Sequence, residues 1–191
     1  MLRPTALLAY TLLSMSSLVP TLETPRLRLR GHRLDDFSQS AAMWADPVVV
    51  RYIRPAPFTE EESWARMLRH VGHWALLGYG YWVVEDKLTG ELLGEAGFAD
   101  FHRDTQPPAL INMPEAGWVF RANAHGRGYA TETVAALVAW ADSHFSAPTA
   151  CVIDQKNLAS IRVAEKNGYR PKQLITYRGE EVMMYTRDEQ G

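Results

Sequence analysis

The stretch His125-Gly126-Arg127-Gly128-Tyr129-Ala130-Thr131-Glu132-Thr133 limits the fold of this chain more than any other. Two glycines sit two apart, after a strand-like run from Glu115 to Phe120 and before an amphipathic helix. A turn of this kind aims successive backbone N–H groups at one point. The first turn of the helix adds free donors and a positive dipole end. Together these make a seat for phosphate or pyrophosphate, because glycine lets ligand oxygens reach the backbone. The same pattern also describes a plain loop. A dinucleotide-binding fold requires Gly-x-Gly-x-x-Gly after its first strand and an acid about 20 residues later. Here Thr131 holds the third glycine's place, and fewer than 70 of the 191 residues follow Gly128. That is too little chain for the parallel units such a fold still needs.

The length fits one domain with a proper core. Hydrophobic residues make up 47% and charged residues 22%, so the chain reads as globular. A net charge of −2 leaves no positive excess to hold nucleic acid by its phosphates. The one cysteine, Cys151, excludes an internal disulfide and a cysteine-cluster metal site. Residues 1–20 carry a single charge, Arg3, and read as an N-terminal extension that is disordered, started upstream, or signal-like with small residues at Ser14 and Ser16. They are too short and polar for a membrane span. The domain is expected over residues 21–191, in the cytoplasm, with no membrane partner.

Along the chain, Arg26 to Gly31 alternates arginine and leucine, a half-buried strand with Leu27 and Leu29 inward and the arginines on a solvated face. Leu34 to Ala45 reads as a helix stopped by Asp46-Pro47, and Val48 to Ile53 as a short apolar segment. Thr59 and Glu62 form a capping box for a helix reaching about Leu77, with Trp64, Met67, Leu68, Val71, Trp74 and Ala75 at helical spacing. Tyr81 to Glu85 and Glu91 to Asp100 form a hairpin. Phe101 to Asn112 is a loop, and Met113 to Phe120 the next strand. The helix after the glycines buries Ala130, Val134, Leu137, Val138, Ala141 and Phe145. Pro148 to Asp154 is a strand, Asn157 to Asn167 a helix ending at Gly168, and the chain closes in a hairpin around Arg178-Gly179. This order is α/β with a mixed sheet.

Two stretches together resemble a family. One is Glu115-Ala116-Gly117-Trp118-Val119-Phe120 with Gly126-Arg127-Gly128-Tyr129-Ala130-Thr131-Glu132; the other is Asn157-Leu158-Ala159-Ser160-Ile161-Arg162-Val163-Ala164-Glu165-Lys166-Asn167-Gly168-Tyr169. They resemble the GNAT superfamily of acetyl-CoA-dependent N-acetyltransferases, over about residues 21–187. The nearest branch is similar to the ribosomal-protein N-terminal acetyltransferases, whose opening strand Thr24-Pro25-Arg26-Leu27-Arg28-Leu29-Arg30 matches. The resemblance implies a mostly antiparallel central sheet of about seven strands flanked by about four helices. It implies acetyl-CoA as co-substrate and no metal. Backbone groups of Trp118, Val119 and Phe120 would line the pantetheine arm. The loop of His125, Gly126, Arg127, Gly128, Tyr129, Ala130 and Thr131 would cradle the pyrophosphate, and Asn157 would lie near the pantetheine. His125 stands where the family pattern has glutamine or arginine.

The implied chemistry is direct attack of an amine on the thioester in a ternary complex. A backbone N–H near Trp118 or Val119 would serve the developing oxyanion. Glu115 matches an acidic position that acts as base, with Glu95 as second choice. An α-amine, titrating near about 8, needs less help than a lysine near about 10.4. Ala164 stands where many members carry an acidic tyrosine, so Ser160 is assigned the donor role toward sulfur. Tyr169 and Cys151 read as core. Asp100, His102 and Asp104 read as solvated rather than metal-binding. The acceptor is a small-molecule amine or a protein N-terminus, in the region of Trp44, Tyr52, Trp64 and Trp74 beside the Phe101–Asn112 loop. A homodimer is left open. The rival readings are a non-catalytic acetyl-CoA sensor and another nucleotide-binding enzyme such as an NAD binder.

Overall fold

A computed structural model describes residues 18–110 and 113–188. The extension expected over residues 1–20 lies, up to residue 17, outside the described residues. The strands are β1 (Leu22–Glu23), β2 (Leu27–Arg30), β3 (Tyr81–Asp86), β4 (Leu92–Ala99), β5 (Thr105–Gln106), β6 (Glu115–Phe120), β7 (Thr149–Ile153), β8 (Arg170–Tyr177) and β9 (Glu180–Arg187). The helices are α1 (Phe37–Trp44), α2 (Pro47–Val50), α3 (Glu60–Leu77), α4 (Tyr129–Ala141) and α5 (Leu158–Lys166). All strands join one sheet in the order β1-β2-β3-β4-β6-β7-β9-β8-β5. The α/β mixed sheet is as expected. The two strands beyond seven are the two-residue edges β1 and β5, which seal the ends of the sheet. The helix beyond four is α2, where Asp46 accepts from the Val48 amide and Pro47 occupies the first turn. The apolar run Val48–Ile53 therefore starts as a helix, because Asp46-Pro47 both ends α1 and caps the next turn.

Both ends of α3 are built from the local signals of the chain. Thr59 accepts from the Glu62 amide, Glu62 returns to the Thr59 amide, and Gly78 closes the helix at φ +73°. Its buried face differs from the apolar spacing. Ser63, Met67, His70 and Trp74 turn inward, while Leu68 is 51% exposed and Trp64 lies partly open against Phe37. The helix is rotated so that His70 meets Tyr81 and Glu95 on the sheet.

Strand alternation separates two layers. Trp82, Ala96, Phe98, Ala116 and Phe120 face α4 and α5, where Val134, Leu137, Trp140 and Ala164 complete the larger core. Val83 and Leu92 face α1 and α2 with Met43, Trp44 and Val50. Val19 already packs against the larger core, and the Pro20 carbonyl accepts from Trp82 Nε1 at 2.7 Å. The arginines of β2 are not a solvated face throughout. Arg30 is buried, with Asp36 held bidentate at 2.8 Å and Glu85 at 2.7 Å. These two carboxylates convert the position from surface to core, and the Asp36 hydrogen bonds raise the Arg30 guanidinium above the ordinary value.

Candidate active site

Strands β6 and β7 form the parallel pair of the sheet, joined through α4. Their ladder consists of one register pair, Glu115↔Ala150, with the Ala150 amide donating to the Pro114 carbonyl. Beyond it the chain from Gly117 to Val119 pairs with β4 on one side only and is half-buried. The backbone of Trp118 and Val119 is thus available to a ligand inserted between the two strands.

At the far end of that opening lies the glycine loop. Gly126 and Gly128 take φ +73° and +80°, conformations that cost an L-residue strain. Gly128 is the N-cap of α4 and offers no side-chain acceptor to the first turn. No hydrogen-bond acceptor among the described residues meets the amides of Tyr129, Ala130 or Thr131. Free donors, a helix start of 13 residues and exposed glycines form an anion cradle. His125 Nε2 sits 2.9 Å from the Phe120 carbonyl. The departure from the family pattern thus engages its ring at the end of β6.

Sequence reasoning missed Arg26 here. Its Nε donates to Glu132 at 2.7 Å, its Nη1 to the Arg127 carbonyl at 2.9 Å, and its guanidinium lies 4.4 Å over the Tyr129 ring. Thr24 Oγ1 also donates to Glu132. The Thr24-Pro25-Arg26 opening of β2 thus holds the glycine loop and α4 in place. The signal was present in that motif, but nothing local connects it to residues about a hundred positions away.

The other layer, facing α1 and α3, carries the second group of candidate side chains. Register places Val83, Glu95 and Val119 in one row across β3, β4 and β6, Tyr81, Gly97 and Gly117 in the next, and Ala99 with Glu115 beyond. A Cβ at Gly117 would collide with the Tyr81 hydroxyl, so the Tyr81 ring lies across the two glycines toward β6. Burial pushes the Tyr81 phenol up to about 12, so it remains a donor. Glu95 is fully buried. Ser40 Oγ donates to it at 2.6 Å and Trp44 Nε1 at 3.0 Å, while His32 and His70 stand 3.5 and 3.7 Å away. Burial alone would raise its carboxyl, but His32, His70 and Ser40 more than offset that and hold it far below the ordinary range. Through Ser40 and Trp44 this carboxylate anchors α1 to the sheet. His70 stacks between His32 (5.2 Å) and Tyr81 (4.4 Å), and burial pushes its imidazole well below the usual value.

Glu115 starts β6 on this face, with both oxygens on Arg103 at 2.6 and 2.7 Å. Burial alone would lower the Arg103 guanidinium; the Glu115 pair outweighs it and keeps the charge. To take a proton, Glu115 must share or release one of those bonds. On α5, Asn157 Oδ1 accepts from the Ser160 amide at 3.1 Å and caps the helix. Ser160 is half-buried, and its hydroxyl takes no hydrogen bond among the described residues. Ala164 and Tyr169 are fully buried, with Tyr169 Oη 2.9 Å from Thr149 Oγ1. Burial raises the Cys151 thiol well above its usual value, which leaves it protonated and inert. Trp44 and Trp74 are core, whereas Tyr52 and Trp64 lie at its margin. His102 meets Asp100 at 3.4 Å in an exposed loop, and among the described residues no three His, Cys, Asp or Glu side chains converge on a metal position. No helix among them is long and apolar enough to cross a membrane.

A mostly antiparallel sheet whose parallel pair opens beside an uncapped glycine-rich helix start is the architecture that the resemblance to acyltransferases leads one to expect. Residues 26–170 match the family model described as an Acetyltransferase (GNAT) domain, and the chain belongs to that family of acetyl-CoA-dependent N-acetyltransferases. It is 34% identical to the uncharacterised protein YkkB of Bacillus subtilis (strain 168), over 87% of this chain and 94% of that one. A GnaT-family acetyltransferase from Bordetella pertussis is 30% identical in sequence, with a TM-score of 0.76 over 88% of this chain and 99% of that one. The ribosomal-protein-S5-alanine acetyltransferase of Vibrio fischeri, 16% identical, shares the fold with a TM-score of 0.69 over 90% of this chain and 97% of that one.

Proposed function

We infer that this enzyme moves the acetyl group of acetyl-CoA to a primary amine, a small molecule or a protein N-terminus, by direct attack in a ternary complex. The observation that carries the reading is the single-pair β6–β7 ladder opening toward the uncapped amides of Tyr129, Ala130 and Thr131. Acetyl-CoA supplies an activated thioester. The amides of the loop from His125 to Thr131 hold the pyrophosphate, with Gly126, Arg127 and Gly128 letting it approach the backbone. Backbone groups of Trp118, Val119 and Phe120 orient the pantetheine arm as they would an added strand. The side-chain amide nitrogen of Asn157, whose oxygen already caps α5, meets the pantetheine arm in this reading. A backbone N–H of Trp118 or Val119 receives the charge that develops on the carbonyl oxygen.

Two proton tasks remain. Glu115 accepts the amine proton, through water, as one of its bonds to Arg103 loosens. Ser160 donates a hydrogen bond to the departing sulfur. The buried, hydrogen-bonded state of Glu95 supports an anchoring role for that residue instead. Calorimetric titration of the purified protein with acetyl-CoA, using NAD as control, tests the reading. Micromolar acetyl-CoA binding with silent NAD is expected; NAD binding without acetyl-CoA binding would sink it. Ser160→Ala should lower kcat by about tenfold or more while leaving acetyl-CoA affinity in place. Unchanged turnover would remove Ser160 from the mechanism. Thiol release with any amine also eliminates a sensor that binds acetyl-CoA without transferring it.

A further inference from the structure

Two guanidinium groups on the acceptor face, Arg66 and Arg69, have no ion-pair partner among the described residues. Arg69 and Arg103 share one ring, their guanidinium carbons 5.1 and 4.7 Å from the centre of Phe101. Arg103 also lies 4.6 Å over Tyr177. Glu115 accepts from Arg103 with both oxygens, and makes no ion pair with Arg69. Arg66, one turn before on the same helix, stacks on Trp44 at 3.7 Å. Its Nε is buried with no hydrogen-bond partner. Neither Arg66 nor Arg69 takes part in an ion pair among the described residues. Glu95, the carboxylate toward which Arg66 is drawn, accepts from Ser40 and Trp44 and makes no ion pair with Arg66. Asp100 accepts from the His102 amide. Arg66, Arg69 and Arg103 thus share this face with Glu95, Glu115 and Asp100, and of the three guanidinium groups Arg103 is the one ion-paired among the described residues.

An orphaned buried donor costs free energy, and like charges drawn together cost more. Burial pushes the Arg66 guanidinium down to about 10, Tyr81 and Glu95 opposing the change and Arg69 and Arg103 adding to it. An anion meeting the outer Nη groups of Arg66 and Arg69 would offset the charge that these residues leave unpaired. Planar guanidinium groups suit a carboxylate or a phosphate-type group, which they bind with two parallel hydrogen bonds. The site lies beside Tyr81 and Glu115, on the face where the amine must approach Val119.

We propose that Arg66 and Arg69, with Arg103 behind them, form a subsite for an acidic group on the acceptor, so that the preferred substrate is a small amine carrying a carboxylate or phosphonate. The inference rests on the acetyltransferase reading for its turnover but not for the anion seat itself. A polyamine or another polycation is disfavoured by the same field.

Two measurements separate the anion seat from the turnover. Thermal unfolding of the full chain is followed in chloride and in sulfate at matched ionic strength. Sulfate stabilises proteins in general by exclusion from their surface. Arg69→Gln, at an exposed position that does not threaten folding, measures that common part. Sulfate should raise the wild-type midpoint at least about 3 °C more than that of Arg69→Gln or Arg66→Gln; equal gains would overturn the subsite. In the second arm, thiol release is measured with amino acids against their carboxamides, aminoalkylphosphonates against the parent alkylamines, and spermidine. The kcat/KM ratio of acid over neutral partner should exceed about ten, and Arg69→Gln should reduce that ratio about tenfold. Carboxamides or spermidine turned over as well as the acids would overturn the proposal while leaving acetyl transfer intact. A sulfate effect without acetyl-CoA binding would instead leave the anion seat and remove the transferase reading.

Discussion

At Gly128 two independent constraints meet. Its φ of +80° excludes an unstrained L-residue, and a Cβ there would stand 3.4 Å from Arg26 Nη2. A side chain would also cover the amides that face the ligand. Gly128→Val should therefore weaken acetyl-CoA binding at least about tenfold, a backbone cost of about 1–3 kcal/mol added to the lost approach. Unchanged affinity in calorimetry would count against the cradle. Gly126 and Gly128 could be picked from the chain because a positive-φ helix entry is written in adjacent residues. Arg26 could not. Its role depends on Glu132 and the Arg127 carbonyl, and on β2 lying beside α4. The same holds for Arg30, whose partners Asp36 and Glu85 make a surface-looking arginine part of the core.

Helix α3 shows how an element can be found correctly and still be turned the wrong way. Its ends follow from Thr59, Glu62 and Gly78, all local signals. Its apolar spacing favours Leu68 and Trp64, yet the inward residues include His70, which stacks on Tyr81 above Glu95. A polar patch on the facing sheet outweighed hydrophobic periodicity. This face carries a pH dependence. Burial depresses the folded imidazole of His70 below its unfolded value, so the unfolded chain binds a proton that the folded chain refuses. Stability is then complete above about pH 6.5 and declines below it, by up to about 1.4 kcal/mol per pH unit for one such group. Urea denaturation between about pH 7.5 and 5.5 should show this slope. His70→Phe should flatten it, leaving only the smaller share from His73, whose imidazole is lowered by burial and Arg69. An unaltered slope would mean that protons enter elsewhere.

For the whole molecule, the cleft joins two halves that meet through few backbone bonds. The β6–β7 ladder supplies one register pair, while α4 links the strands on one face. A ligand lying along β6 and seated on the start of α4 couples both. At about a hundredfold excess over Kd, acetyl-CoA adds about 2.7 kcal/mol to stability. For a chain of this size that is a rise of about 5–10 °C in Tm, read by scanning fluorimetry. NAD should give no rise, and an equal shift with NAD would point to a less selective phosphate seat.

The chain order already contained the α/β class, the ends of α3, the start of α4, the hairpins and the two motif stretches, but not the helix Pro47–Val50 nor the end of α4 at Ala141, short of Phe145. Each feature it contained depends on residues within a few positions of one another, where caps, turns and period act directly. The nine-strand order, the rotation of α3, the latch of Arg26, the neutralisation of Arg103 by Glu115 and the unsatisfied charge of Arg66 and Arg69 came from packing. Ion pairing and burial are properties of neighbours in space, and sheet order brings together residues whose separation along the chain carries no sign that they will meet.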